Sequence, residues 1–379
     1  FRWRTQSERV NMTMQFIDFA AQQQRLKSKI DHRIQTVLSQ SHYIMGPEVA
    51  EFEKQLAEFC GSPYALGCAN GTDALQLALM ALNVGPGDGV FCPSFAFAST
   101  AEVVPPTGAT PVLVDVCEDS YNLDPASLLR SIAYAREQGL KPAGVIPVDL
   151  FGLPADYDSI EQIAADNGLW IISDSAQGFG ATYRGRTTGS IGTIATTSFF
   201  PAKPLGCYGD GGAIFTADPE LRALIESYRV HGKGTHKYDN ERIGLNSRLD
   251  TLQAAILLEK LAIYADEIEA RQRVAARYSA ALHNNVITPI VPDDCRSVWA
   301  QYTVRVHDGQ DRSAIMSHLA AAGVPSVVYY PRPLHQQTAY SRFPTDPEGL
   351  AVSERLAQTV FSLPMHPYLT ESDQDIVIA

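Results

Sequence analysis

Short apolar runs alternate with helical patterns along the chain from about residue 60. The segment Gly71–Asn83 has helical periodicity, with Thr72 or Asp73 near its start. Five apolar runs follow, at Thr110–Val114, Gly144–Val148, Leu169–Ser173, Thr196–Phe200 and Ala213–Thr216. Helical patterns such as Ser159–Asn167 lie between several of these runs. Short buried strands that alternate with helices predict an α/β fold, with a mostly parallel sheet covered on both faces.

The C-terminal third of the chain has a different pattern. A helical pattern begins near Asp250 and exceeds the usual length of about 8–20 residues, so it predicts a helix with a kink or a break. A strand region (Val298–Val306), a helix (Asp311–Ala322) and a further short strand (Pro325–Tyr330) follow. This mixture predicts a smaller α+β domain after the main sheet.

These patterns divide the chain into three parts. We predict a large α/β domain over residues 14–260 and a small C-terminal α+β domain over residues 261–379. Residues 1–13 carry three arginines and no apolar stretch, which is not typical of a secretory signal. We interpret these first residues as an extension outside the core.

Composition and charge narrow the class of protein. Of the 379 residues, 45% are hydrophobic and 19% charged, which is typical of a globular protein with a large core. The net charge of −12 repels phosphate backbones, so we expect no nucleic-acid partner. No apolar run is long enough to span a membrane. The six cysteines are scattered without a CxxC pair, which favours reduced thiols in a cytoplasmic enzyme, and we expect no metal site.

Candidate chemistry lies where the predicted strands end, because open α/β sheets bind ligands at the carboxyl ends of their strands. Asp174 directly follows one apolar run in the segment WIISDSAQGFGA. A buried carboxylate is unfavourable unless it meets a cation or a hydrogen-bond donor. Asp174 is therefore a candidate partner of a cationic ligand atom, and the alternative is a structural cap of the next helix.

A lysine and a helix start complete the candidate chemistry. Lys203 lies between Pro201 and Pro204, after an apolar run that includes Ser198 and before a glycine-rich turn. A lysine in such a stiff, poorly solvated setting can be a neutral amine or form an imine. The segment Asn70–Ala74 (NGTDA) opens a helix, whose free N–H groups favour a phosphate. Walker and Rossmann motifs are missing from the sequence. The lysine, the carboxylate at a strand end and the helix start together indicate a pyridoxal phosphate enzyme.

A family resemblance agrees with this interpretation. The motifs that carry it are FIDFAAQQ, YIMGPEVAEFE, CANGTDAL, PSFAFAST, SDSAQGFGA, SFFPAKPLGCYGDGGA, GLNSRLDTLQAAIL, YYPRPLH and SLPMHPYL, spread over residues 14–370. The chain resembles the nucleotide-sugar aminotransferases of the DegT/StrS group, which are fold type I enzymes dependent on pyridoxal 5′-phosphate (PLP; PMP in its amine form). The resemblance implies a mostly parallel, seven-stranded-type sheet between helices.

The resemblance also implies coenzyme contacts, residue by residue. Lys203 matches the lysine that forms a Schiff base and moves a proton at the substrate carbon. Asp174 matches the partner of the pyridinium nitrogen, Gln177 the residue near the phenolic oxygen, and Phe97 the ring that stacks on the coenzyme. The matching phosphate contacts are Gly71, Thr72, Ser198 and, from the neighbouring subunit, Asn246. This last match implies a homodimer with shared active sites.

Substrate contacts are implied at Arg248, Tyr329, Tyr330 and His335. Many relatives have histidine where this chain has Tyr329, and a surface-loop position is the alternative for His335. Arg248 lies two residues from Asn246, so on an extended backbone both side chains face the same way. Its guanidinium group suits a carboxylate, and the alternative for Arg248 is an ion pair at the dimer interface.

The resemblance is greatest to the subgroup that aminates C3 of a UDP-linked 2-acetamido-3-keto-hexuronic acid, with glutamate as donor and 2-oxoglutarate as product. Surface polysaccharide (lipopolysaccharide, O-antigen) biosynthesis is the implied setting. A 4-keto-6-deoxy nucleotide-sugar aminotransferase of the same family is the alternative. A related dehydratase replaces the lysine by histidine, and a regulatory member without activity should have lost Lys203 or Asp174; both residues are present.

Overall fold

The computed structural model describes residues 14–236 and 238–379, so the predicted extension over residues 1–13 lies outside the described residues. The helices of this part are α1 (Phe19–Gln40), α2 (Pro47–Cys60), α3 (Gly71–Ala81), α4 (Ser99–Glu102), α5 (Pro125–Glu137), α6 (Tyr157–Asn167), α7 (Pro219–Tyr228), α8 (Thr251–Leu261), α9 (Tyr264–Leu282), α10 (Arg312–Ala321), α11 (Ala351–Thr359) and α12 (Glu371–Ile378). The strands are β1 (Tyr64–Cys68), β2 (Asp88–Pro93), β3 (Thr110–Val114), β4 (Lys141–Val145), β5 (Trp170–Asp174), β6 (Thr182–Tyr183), β7 (Arg186–Thr187), β8 (Ile194–Ser198), β9 (Gly212–Thr216), β10 (Cys295–Arg296), β11 (Tyr302–Arg305) and β12 (Val360–Leu363).

A seven-stranded sheet forms the centre of the molecule, with the strand order β1-β9-β8-β5-β4-β2-β3. Five adjacent strands of this sheet, β8, β5, β4, β2 and β3, pair in parallel. The strand β9 pairs antiparallel with both β8 and β1. The predicted fold class, a mostly parallel sheet between helices, is confirmed.

Helices cover both faces of this sheet because successive side chains of each strand point to opposite faces. Val90 and Ile172 pack on one face against α3 and α7. Phe91 and Ile171, their neighbours in sequence, pack on the other face against α5 and α6. Farther along the sheet, α2 and α8 pack against Phe215. The near-continuous apolar runs of the sequence are the consequence of burial on both faces.

The long helical pattern near Asp250 is two helices, α8 and α9, which are separated at Ala262 and Ile263. The predicted break is therefore confirmed. The first of these helices packs on the large sheet, while Val274 and Tyr278 of α9 join a second core with β11 and β12. The division into domains at residues 260 and 261 stays a prediction, and the helix break lies next to it.

One predicted strand is wrong. Pro325–Tyr330 forms no ladder, because only Val327 pairs with the sheet, through two hydrogen bonds with Ser362 of β12 (3.2 and 2.7 Å). After this bridge the chain turns away, and Tyr329 and Tyr330 line the cavity described below. Two other strands begin two or three residues earlier than predicted, at Lys141 and Ile194. Within the described ranges, no helix is both long and apolar enough to cross a membrane.

Candidate active site

A cavity of about 450 Å³ opens beside the carboxyl ends of β5 and β8 and the start of α3. Nine of the residues predicted from the sequence line it: Gly71, Thr72, Phe97, Asp174, Gln177, Ser198, Lys203, Tyr329 and Tyr330. These residues come from segments up to about 260 positions apart in sequence, and the strand-end rule for α/β sheets explains their convergence.

Asp174 is the last residue of β5, and its carboxylate is buried (4% exposed). One oxygen accepts a hydrogen bond from the Thr100 hydroxyl at 2.9 Å, and the other accepts from the Ala176 N–H at 3.2 Å. Burial raises the pKa of Asp174, and the two donors and the charge of Lys203 oppose this rise. Two donors leave acceptor capacity on both oxygens, so the carboxylate can take a further donor from the cavity.

Lys203 lies in the loop between β8 and β9. Its backbone N–H donates to the Phe200 carbonyl at 2.8 Å, which fixes a tight turn. The loop is close-packed at Gly206, where an added Cβ would lie 2.5 Å from the Pro201 carbonyl oxygen. Burial lowers the pKa of Lys203, and Asp174 opposes this change. A larger share of this amine is therefore neutral and nucleophilic at a given pH than in an exposed lysine.

The start of α3 forms a second wall of the cavity. Asn70 caps the helix, and its side chain accepts a hydrogen bond from the Asp73 N–H at 2.8 Å. The N–H groups of the first turn have no acceptor within the helix and favour an anion. Gly71 lies so close to β8 that an added Cβ would be 2.7 Å from the Ser198 Cβ. This contact requires glycine and brings the helix start and Ser198 to the same wall.

The third wall is formed by Gln177, Phe97 and the two tyrosines. The Gln177 Oε1 accepts from the Phe151 N–H at 2.9 Å, so its Nε2 is the donor end and bonds the Tyr330 hydroxyl at 3.0 Å. The Phe97 ring is 54% exposed and lies 6.4 Å from the Tyr330 ring. An exposed ring at a cavity wall can stack on a flat ligand.

Three predicted residues do not line this cavity: Asn246, Arg248 and His335. Asn246 is exposed and Arg248 is partly exposed, whereas the alternating residues Ser247 and Leu249 are buried. This alternation is typical of an extended backbone. His335 Nδ1 lies 2.8 Å from the Ser94 hydroxyl and His335 Nε2 lies 3.0 Å from Glu354. Asn246 and Arg248 therefore do not contribute to the lining of this cavity in the described chain.

The structure also identifies residues that the sequence analysis missed. Thr100, the hydroxyl partner of Asp174, is three residues after Phe97 in the motif PSFAFAST, and no local pattern in the sequence relates it to Asp174. Asp210 and Gln301 line the cavity as well. Gln301 comes from the C-terminal part of the chain, and no sequence pattern relates it to the sheet.

The groups that line this cavity fit PLP. A buried carboxylate with spare acceptor capacity suits the pyridinium N–H, and a lysine amine with a lowered pKa suits the aldehyde carbon. The helix start beside Ser198 suits the phosphate group, and the exposed Phe97 ring suits the flat pyridine. Fold and cavity together define the class of fold type I PLP enzymes.

Comparisons with known proteins identify the family. Residues 24–379 match the DegT/DnrJ/EryC1/StrS aminotransferase family. The UDP-2-acetamido-2-deoxy-3-oxo-D-glucuronate aminotransferase of Pseudomonas aeruginosa is 48% identical over 97% of this chain and 99% of its own. A DegT/DnrJ/EryC1/StrS aminotransferase from Brucella abortus shares the fold with a TM-score of 0.94 and 53% identity, over 96% of this chain and 97% of its own. NtdA from Bacillus subtilis, whose crystal structure contains the cofactor PMP, has a TM-score of 0.84 and 30% identity, over 96% and 81%.

The chain belongs to the DegT/DnrJ/EryC1/StrS aminotransferase family. It is a PLP-dependent nucleotide-sugar aminotransferase, as the resemblance implied.

Proposed function

We propose that this enzyme transfers the amino group of glutamate to C3 of a UDP-linked 2-acetamido-3-keto-hexuronic acid. The observation that carries the proposal is the 48% identity to the Pseudomonas aeruginosa enzyme, whose name specifies this class of substrate. We further propose that the amino sugar is made in the cytoplasm and serves lipopolysaccharide biosynthesis, the setting that the resemblance implies. The competing substrate is a 4-keto-6-deoxy nucleotide sugar, which has no carboxylate at C6.

The charge of the cavity supports a site shared between two chains. Among the described residues that line it, Lys203 is the only one with a basic side chain. The proposed ligands carry a phosphate, a diphosphate and a carboxylate, and buried anions need cations or donors. Arg248 has no ion-pair partner in the described part of its own chain. We infer that Asn246 and Arg248 reach the cavity of a second chain in a homodimer, Asn246 at the coenzyme phosphate and Arg248 at the substrate carboxylate.

We assign the chemical roles as follows. When bound, PLP would supply the carbonyl carbon that takes up the amino group from one substrate and passes it to the other. Its ring would supply an electron sink. Lys203 supplies the amine for attachment and moves the proton at the reacting substrate carbon. Asp174 keeps a proton on the ring nitrogen by accepting its hydrogen bond. Phe97 and Gln177 orient the ring, and Tyr329 and Tyr330 face the sugar.

The proposal is tested by giving the PMP form of the enzyme a panel of nucleotide keto-sugars without glutamate. The UDP-linked 3-keto-uronate should convert the absorption band of the amine form to that of the lysine-bound form in a single turnover. The panel includes the matching 3-keto sugar with a 6-hydroxymethyl group and a 4-keto-6-deoxy sugar. Conversion by the 4-keto sugar alone would replace the proposed substrate with the competing one.

A further inference from the structure

His335 connects two segments of the cavity wall without lining the cavity itself. It lies in a short 3-10 helix, Leu334–Gln336, and both of its ring nitrogens have partners. Nδ1 lies 2.8 Å from the hydroxyl of Ser94, and Nε2 lies 3.0 Å from a carboxylate oxygen of Glu354. Both ring nitrogens of His335 therefore have partners within the described part of the chain.

Ser94 is the inner partner of His335. It follows β2, is fully buried, and begins the segment Ser94–Thr100. Phe97 of this segment lines the cavity, and Thr100 donates to Asp174 at 2.9 Å. The Ser94 carbonyl also accepts a hydrogen bond from the Leu334 N–H at 2.8 Å. Ser94 thus joins the segment that holds Asp174 to the segment around His335.

Tyr329 and Tyr330, which line the cavity, come shortly before His335 in sequence. Only four residues separate Tyr330 from His335, and two of them are Pro331 and Pro333. Because the proline ring fixes φ, this connection has little conformational freedom. Fixing His335 on Ser94 therefore restricts where the two tyrosines can lie.

The partners determine the tautomer of the His335 ring. The carboxylate of Glu354 only accepts hydrogen bonds, so in the neutral ring Nε2 carries the proton and Nδ1 accepts from the Ser94 hydroxyl. The Ser94 oxygen in turn accepts from the backbone N–H of His335 at 3.4 Å. Ser94 is fully buried, whereas the Glu354 side chain is 46% exposed, so the Ser94 bond is the more shielded of the two.

We propose that His335 is a positioning residue: its bond to Ser94 couples the tyrosine segment that faces the sugar to the segment that holds Asp174. This goes beyond the substrate contact that the resemblance implied for His335. It rests on the proposed function only for the choice of the sugar substrate.

Two variants of His335 separate its bond to Ser94 from its bond to Glu354. Asparagine can place a carbonyl oxygen near the position of Nδ1, and glutamine can place an N–H₂ group near the position of Nε2. His335→Asn keeps an acceptor for Ser94, and His335→Gln keeps a donor for Glu354. Loss of one partner of a buried hydrogen bond weakens an interaction by about 5- to 30-fold. We expect kcat/KM for the keto-uronate to fall by about that factor in His335→Gln and to stay within about threefold of the native value in His335→Asn.

Ser94→Ala should reproduce the loss seen in His335→Gln, since it removes the same bond with a small change of volume. Glu354→Gln is the matched control and should leave kcat/KM near the native value. Amide hydrogen exchange of the holoenzyme gives a second readout that needs no substrate. Residues 331–337 should exchange faster in His335→Gln and Ser94→Ala, and at the native rate in His335→Asn and Glu354→Gln.

Equal losses in His335→Asn and His335→Gln, or unchanged exchange in Ser94→Ala, would overturn the positioning role. If the native enzyme does not turn over the keto-uronate, the proposed function fails, and the exchange measurement still decides the role of His335.

Discussion

Asp149 and Asp174 are both buried carboxylates near the ends of neighbouring strands, but their surroundings differ. Asp149 accepts hydrogen bonds at 2.7, 2.6 and 3.1 Å from Tyr157, Ser175 and the Ala155 N–H. Asp174 has two donors at 2.9 and 3.2 Å and lines the cavity. Because only Asp174 combines spare acceptor capacity with access to the cavity, we assign Asp149 to the fold and Asp174 to the coenzyme.

We predict that Asp174→Asn retains the coenzyme but slows the glutamate half-reaction. Asparagine keeps the shape and one acceptor, and it removes the negative charge that favours a protonated ring nitrogen. A hydrogen bond to a charged group contributes about 1.5–3 kcal/mol, so we expect a loss of about 10- to 150-fold. Stopped-flow absorbance of the half-reaction measures this rate. A rate near the native value would leave Asp174 as a structural cap.

Asp149 gives a prediction for the pH dependence of stability. Burial raises the pKa of Asp149 from its usual 3.8 to about 6, despite its three donors. The folded protein then binds more protons than the unfolded chain between these two values, so this group stabilises the fold at low pH and the contribution is lost as the pH rises to about 6.

An asparagine side chain does not titrate, which makes the Asp149→Asn variant the reference. The unfolding free energy of the native protein relative to Asp149→Asn should fall by up to about 3 kcal/mol between pH 4 and pH 7. Urea unfolding at several pH values gives both curves. A difference that is constant over this range would show that the carboxylate is not the titrating group.

Arg248 provides the test of the uronate substrate. A planar guanidinium group suits the C6 carboxylate, and we expect Arg248→Ala to weaken turnover of the uronate by about 10- to 150-fold. Turnover of the 6-hydroxymethyl sugar should change little. Steady-state kinetics on both sugars make the comparison, and an equal loss on both would indicate that Arg248 stabilises the dimer interface instead.

The sequence identified residues whose chemistry is visible locally. Asp174 ends an apolar run, and Lys203 lies between two prolines, so both could be found from their neighbours in sequence. Thr100 could not be assigned in this way, because its bond to Asp174 joins residues 74 positions apart. Such a pair is created by the packing of α4 against the sheet and has no local sequence signal.

At the scale of elements, the contact between α3 and β8 shapes the cavity. Gly71 begins α3 and approaches Ser198, the last residue of β8, where an added Cβ would lie 2.7 Å from the Ser198 Cβ. Alanine is a better helix former than glycine, so propensity alone would favour a substitution here. The close contact opposes it, and α3 would have to move away from β8.

We predict that Gly71→Ala weakens PLP binding. Overpacking of this kind is unfavourable by about 1–3 kcal/mol, or about 5- to 150-fold in affinity if the strain falls on the bound state. Gly85→Ala, just after α3, is the matched control, because an added Cβ there meets no atom within 4 Å. Absorbance titration of the apoenzyme with PLP compares the two. Equal affinities would show that the helix start tolerates a side chain.

Element prediction succeeded where burial and periodicity agreed. The strand at Thr110–Val114 and the helix break after α8 follow from apolar runs and helix length. Pro325–Tyr330 has the composition of a strand, but tertiary contacts override it, since the chain bridges Ser362 once and then reaches the cavity. The short sheet of β10, β6 and β7 has two-residue strands, too brief to give an apolar pattern.

At the scale of the whole molecule, the C-terminal part docks on the edge strand β3. Asp115, just after this strand, accepts hydrogen bonds from the N–H groups of Val352 and Ser353 at 3.0 and 2.8 Å. A residue more than 230 positions away in sequence therefore satisfies N–H groups of the first turn of α11. Arg355 of the same helix pairs with Glu118 at 2.8 Å. This docking brings Tyr329 and Tyr330 over the sheet, so the cavity needs both parts of the chain.

A site shared between two chains can be tested by complementation. If Asn246 completes the partner's site, a Lys203→Ala chain and an Asn246→Ala chain should complement each other when mixed. In the mixed dimer, one site combines an intact Lys203 with an intact Asn246 from the other chain, and the second site lacks both. Random exchange of equal amounts makes about half of the dimers mixed, so about one quarter of all sites should be intact.

Aminotransferase activity is measured before and after subunit exchange, with native mass spectrometry to verify that mixed dimers form. Two copies of Lys203→Ala with different tags are the control, because they exchange without creating an intact site. Activity should rise only in the complementing mixture, since Asn246 is exposed on its own chain and does not line the cavity there. Verified exchange with no gain in activity would contradict a site completed by Asn246 of the second chain.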